Sequence, residues 1–127
     1  MYKATDRERL LNRIIGFVRD NSAFEGLLQI CSGAGGFADI SSDIDLMAGC
    51  SAVDCVKIVN QQLHQFFTEL GACHIEKRVW TSTALGLSVY FKNGLSADIS
   101  FMPTLELPIR SPQHKVIFAK TETLWMR

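Results

Sequence analysis

Asp43 and Asp45 stand at the end of the run Cys31-Ser-Gly-Ala-Gly-Gly-Phe-Ala-Asp-Ile-Ser-Ser-Asp-Ile-Asp-Leu46. In a β-strand, residues two apart point to the same face. A strand through Ile44 therefore leans both carboxylates into one small volume. Carboxylates held that close repel each other unless something positive lies between them. A hard cation such as Mg²⁺ takes oxygen ligands and keeps coordination positions open for phosphates. Upstream, Ser32 opens a glycine-rich stretch that can turn tightly and bring backbone N–H groups close to a phosphate. A phosphate cradle joined to a metal-binding strand points to nucleotide chemistry.

The chain around this motif reads as alternating helix and strand. Thr5 to Asp20 has helical spacing, with Thr5 and Asp6 as candidate caps and Leu10, Leu11, Ile14, Ile15, Phe17 and Val18 as its apolar face. Leu27 to Cys31 is a short apolar strand, and Gly33 to Ser42 is a loop. Asp43 to Met47 forms the second strand, with Gly49-Cys50-Ser51 ending it. Ala52 to Leu70 is again helical, with Val53, Val56, Ile58, Val59, Leu63, Phe66, Phe67 and Leu70 apolar. Ser51 is its candidate N-cap, Asp54 favours its dipole and Gly71 stops it. Strands are expected at 73–81, 84–91 and 95–101, the last two joined by a hairpin at Lys92-Asn93-Gly94. Pro103 and Pro108 interrupt regular structure, and 116–118 adds a short strand. At 127 residues with 47% hydrophobic residues, the chain reads as a single domain, 1–127, with a real core.

Asp98, in the strand after the hairpin, is the third carboxylate. If that strand lies beside the Asp43–Asp45 strand, three carboxylates converge on a site for Mg²⁺. Other groups are less informative. His64 and His74 have no partner at metal-ligand spacing, and His114, beside Lys115, is not expected to face a phosphate or substrate. Strand alternation leaves open which of Lys77 and Arg78 faces the site. Trp80 and Tyr90 either stack on a base or pack in the core.

The run Cys31-Ser32-x-Ala34-x-Gly36 followed by Asp43-Ile44-Asp45-Leu46, with a later third carboxylate, resembles the signature of the polymerase-beta-type nucleotidyltransferase superfamily. Its flanking pattern is most similar to the antibiotic (aminoglycoside and lincosamide) nucleotidyltransferases. The likeness covers roughly residues 10 to 101. It implies an α+β nucleotidyltransferase fold, a mixed twisted sheet backed by helices. It also implies Mg²⁺-dependent transfer of a nucleoside monophosphate, AMP first, from a nucleoside triphosphate to a hydroxyl of a small molecule. By this resemblance Ser32 contacts the terminal phosphates, and Gly33 and Ser42 line the triphosphate path. Asp43, Asp45 and Asp98 hold metal, and Asp98 takes the proton of the attacking hydroxyl. Cys31 departs from the family, which has glycine there; its Cβ bars conformations open only to glycine.

The antibiotic-modifying enzymes carry a C-terminal helical domain that closes the acceptor site. With the chain ending at Arg127, either a second subunit (a second copy or a partner protein) supplies that wall, or the chain is a truncated or minimal form. Minimal domains of this size also resemble the antitoxin half of toxin–antitoxin pairs, which engage a helical toxin. A nucleotide-binding domain without catalysis is the remaining alternative.

The charge balance bears on partners. Lys plus Arg and Asp plus Glu each total 13. Proteins that bind nucleic-acid backbones carry a basic surplus, so this balance argues against a polymer substrate. No apolar run reaches the length of a membrane span. The charged N-terminus does not read as a signal peptide, and the four cysteines show no C-x-x-C pair. A cytoplasmic protein with reduced thiols is expected.

Overall fold

The computed structural model describes residues 2–30, 43–107 and 114–120, with the side chains at 53–55 and 114 left aside. Its elements in chain order are α1 (Ala4–Asp20), β1 (Phe24–Ile30), β2 (Ile44–Cys50), α2 (Val53–Glu69), β3 (His74–Val79), β4 (Leu85–Tyr90), β5 (Ser96–Pro103), a 3₁₀ turn (Thr104–Glu106) and β6 (His114–Ala119). The strands form one sheet in the order β3-β4-β5-β2-β1-β6. β2 and β5 run parallel; the other described pairs are antiparallel. This is a mixed six-stranded α+β fold with two helices.

Both helices lie against the sheet by a narrow apolar stripe. In α1 it is Leu10, Ile14 and Val18, one turn apart; in α2 it is Val56, Val59, Leu63 and Phe67. These side chains pack on Leu27, Ile44, Leu46, Ala48, Ile99 and Phe101, alternate residues of the central strands. Residue alternation then sends Asp45, Met47, Asp98 and Ser100 to the opposite face of the sheet. Among the described residues that face carries a small second cluster, Leu28, Ala84, Met102 and Leu107, with Met47 packed against it. Both helices thus lie on one side of the sheet, and Asp45 and Asp98 emerge on the other.

Several local expectations change in the structure. Ile58 is 52% exposed, because it falls off the 3.6-residue stripe defined by Val56 and Val59. Lys3, not Thr5, is the N-cap of α1; Asp6 serves from inside the helix, accepting the Lys3 N–H at 2.9 Å. Ala52, not Ser51, holds the N-cap of α2. β2 continues through Gly49 and Cys50 rather than ending there, since both still pair with β5. A Cβ at Gly49 would lie 2.7 Å from Thr104 Oγ1 and 2.8 Å from Leu107 Cδ1. Glycine there keeps the strand running while the 3₁₀ turn packs onto it.

The hairpin between β4 and β5 is a three-residue loop. Gly94 N–H bonds to Phe91 O at 3.1 Å, and Phe91 N–H bonds to Leu95 O at 2.9 Å. Gly94 has φ +91°, the left-handed position this loop requires. Gly71, with φ +97°, closes α2 in the same way. Ser32, Gly33 and Ser42, with Cys31, lie outside the described residues.

Candidate active site

The parallel pairing of β2 and β5 sets Asp45 directly opposite Asp98. Neighbouring strands lie about 4.8 Å apart, so the two side chains emerge into shared space. Burial, and then the charge of Asp98, push the half-buried Asp45 carboxyl up to about 6 from 3.8. Among the described residues no Lys or Arg forms an ion pair with either carboxylate. Two adjacent carboxylates, one of them held back from ionising by its surroundings and neither in an ion pair among the described residues, are a fitting donor set for a divalent cation.

Asp43 is placed differently. Its Oδ1 accepts the Tyr2 hydroxyl. Its Oδ2 accepts the Ser96 N–H at 2.9 Å and the Ser96 hydroxyl at 3.2 Å. Arg7 Nε donates to the Asp43 carbonyl at 2.9 Å. The structure therefore brings Asp45 and Asp98 together and turns Asp43 toward α1 and the start of β5. No cluster of three metal-ligating side chains forms among the described residues. The Tyr2 phenol is raised above its ordinary 10.0, chiefly by its hydrogen bond to Asp43.

Asp45 and Asp98 line a cleft of about 600 Å³ on the face of the sheet opposite the helices, together with Arg78, Trp80, Ser100 and Met102. Arg78, not Lys77, faces it. Arg78 Nε donates to Ser88 Oγ at 2.7 Å, and its guanidinium lies 3.8 Å from Glu76. Trp80 folds back across β4: its Nε1–H donates to Ser100 Oγ at 3.1 Å. The indole can cross there because Gly86 has no side chain; a Cβ at Gly86 would lie 2.8 Å from Trp80 Nε1. The loop behind the indole is braced by Thr83, whose hydroxyl reaches the Glu106 carboxylate at 2.8 Å. Tyr90 stands apart from the cleft, stacked with His74 at 5.7 Å.

Gly86→Val is expected to unseat the indole, break its bond to Ser100 and cost about 1 kcal/mol. The cost stays small because Trp80, 56% exposed, can swing into solvent. A red shift of Trp80 emission in a Trp125→Phe background checks this; unchanged emission counts against the seat. Arg78 and Trp80 share a strand face by alternation, which the sequence could have supplied. The bare glycine beneath the indole and the Tyr2–Asp43 contact carry no local signal.

No protein-family model matches the chain, and no curated protein matches it. Solved structures do. An aminoglycoside 6-adenyltransferase from Bacillus subtilis superposes with a TM-score of 0.54 at 13% identity, over 76% of this chain and 35% of that one. The likeness shows a nucleotidyltransferase-like fold. The chain spans about a third of that enzyme's length. Among the described residues, no helix is long and apolar enough to cross a membrane.

Proposed function

We propose that this domain transfers a nucleoside monophosphate, AMP as the first candidate, from a nucleoside triphosphate to a hydroxyl of a small molecule. The observation that carries the reading is the Asp45–Asp98 pair, set in register on neighbouring parallel strands at the wall of an open cleft. The nucleotidyltransferase-like fold supports it. Asp45 and Asp98 are the residues proposed to hold Mg²⁺, with Asp43 joining them. A bound Mg²⁺ supplies charge neutralisation for the triphosphate and for the leaving pyrophosphate. Ser32, Gly33 and Ser42 are proposed to bind the phosphates.

Asp98 lies between Asp45 and the Arg78–Trp80 side of the sheet, since β4 and β3 follow β5 in that direction. It is proposed as the base. The acceptor oxygen bonds to the α-phosphorus as the bond to the bridging oxygen breaks. The hydroxyl proton passes to Asp98, and pyrophosphate leaves. Trp80 and Arg78 then flank the acceptor, the indole offering a flat apolar surface and the guanidinium a fixed donor. A partner protein or a second copy is proposed to close the acceptor side of the cleft.

Titration calorimetry with a non-hydrolysable ATP analogue, with and without Mg²⁺, tests the reading. Binding that requires the metal is expected. A well-folded sample that binds no nucleotide under either condition overturns transfer, and a search for a protein partner follows.

A further inference from the structure

Every polar atom of Asp43 is engaged. Its N–H donates to Ser96 Oγ at 3.3 Å, its carbonyl accepts from Arg7, and its two carboxylate oxygens accept from Tyr2 and Ser96. These bonds divide into two sets. Arg7 and the Ser96 hydroxyl grip the backbone, which keeps the entry to β2 in place. Tyr2 and the Ser96 N–H and hydroxyl grip the carboxylate, which sets where it points. Asp43 precedes Asp45 by two residues, about 6.7 Å along a strand. Side-chain rotation alone can therefore carry its carboxylate toward the Asp45–Asp98 pair while the backbone stays fixed.

Tyr2 is built to hold that carboxylate. It sits immediately before the Lys3 N-cap of α1, and its ring packs against the main core while its hydroxyl reaches Asp43. The donors on the Asp43 carboxylate are neutral: a phenol, a hydroxyl and a backbone N–H. Among the described residues no ion pair competes for it. A carboxylate held by neutral donors is exchanged for a divalent cation more readily than one bound in a salt bridge.

We propose that Tyr2 is a positioning residue that holds Asp43 apart from the Asp45–Asp98 pair in the metal-free protein, so that divalent-cation binding is coupled to release of the Tyr2–Asp43 hydrogen bond. The inference rests on the metal-dependent reading above. It sets the direction of the Tyr2 effect. A partner that merely oriented a ligand already in place would strengthen binding, and its loss would weaken it. A latch competes with the metal, and its loss tightens binding. The Asp43 carboxylate bonds to Tyr2 and to Ser96 at the start of β5, and this direction favours the latch.

Mn²⁺ affinity, measured by electron paramagnetic resonance on wild type, Tyr2→Phe, Asp43→Asn and the double variant, tests this. Tyr2→Phe keeps the packed ring and removes only the hydroxyl. It is expected to tighten Mn²⁺ binding somewhat more than about tenfold, the low end for a hydrogen bond to a charged group. Asp43→Asn is expected to weaken binding, and the double variant to match Asp43→Asn, because Tyr2 acts through Asp43. A second readout uses fluorotyrosine resonance, with Tyr2 and Tyr90 distinguished by Tyr90→Phe. Mg²⁺ should shift the Tyr2 signal in wild type and not in Asp43→Asn. Equal or weaker Mn²⁺ binding by Tyr2→Phe, with wild type binding normally, overturns the latch alone. No Mn²⁺ binding by any form overturns the metal reading and the latch with it.

Discussion

Asp45→Asn is expected to lower turnover about a thousandfold, the scale on which charge-stabilising groups act in such sites. The same change is expected to stabilise the metal-free protein at neutral pH. The reason is the environment of Asp45, whose carboxyl is raised to about 6 by burial and by Asp98. An acid with a folded-state value above its unfolded one binds protons more tightly when folded. Its contribution to stability is present at low pH and is lost as pH rises from about 4 through about 6. Solvent screening at a half-exposed side chain holds the loss to about 1–2 kcal/mol. Asparagine resembles the protonated acid and does not ionise. Metal-free wild type and Asp45→Asn should therefore melt alike near pH 4 and diverge by several degrees near pH 7, on the order of 3–8 °C. Mg²⁺ should raise the melting temperature of wild type at pH 7 and leave the variant unmoved. Thermal melts at the two pH values, with and without Mg²⁺, read both effects. A variant less stable than wild type at pH 7 would mean that Asp45 is not a strained carboxylate awaiting a cation.

What the sequence could and could not reveal divides by distance along the chain. Local chemistry was legible: the helical stripes through Ile14 and Leu63, the glycine stop at Gly71 and the hairpin at Gly94 each follow from a few neighbouring residues. The hairpin turn ties β4 to β5, so Asp98 could be assigned to a strand from sequence. Its partner strand is another matter. β2 and β5 pair across an intervening helix and two strands, and no local pattern sets Asp45 opposite Asp98. Asp43 shows the same limit. The alternation that points Asp43 and Asp45 to one face is correct for an isolated strand. Tyr2, 41 residues away in sequence, and Ser96, 53 away, redirect the carboxylate. Strand endings failed for a related reason. Gly49 looks like a terminator, yet it is the residue whose missing Cβ lets Thr104 pack against the strand.

Asp98→Asn separates the two causes that act on Asp45. Burial is the larger and the Asp98 charge the smaller. Removing the charge while keeping the shape should lower the Asp45 titration midpoint only part of the way, leaving it above the ordinary carboxylate range. Carboxyl-carbon resonance of ¹³C-labelled aspartate, titrated on the metal-free protein, resolves this. Full return to the ordinary value would make Asp98, not burial, the dominant cause. Turnover should fall about 10²- to 10⁴-fold, since the variant lacks the group proposed to take the hydroxyl proton. Metal affinity should fall with it, because one side chain of the pair no longer offers an anionic oxygen. The two losses part company at saturating Mg²⁺. Excess metal offsets a weakened site but supplies no base, so turnover of Asp98→Asn should stay low however much Mg²⁺ is added. A variant that regained wild-type turnover in excess Mg²⁺ would move the base elsewhere and leave Asp98 as a metal ligand alone.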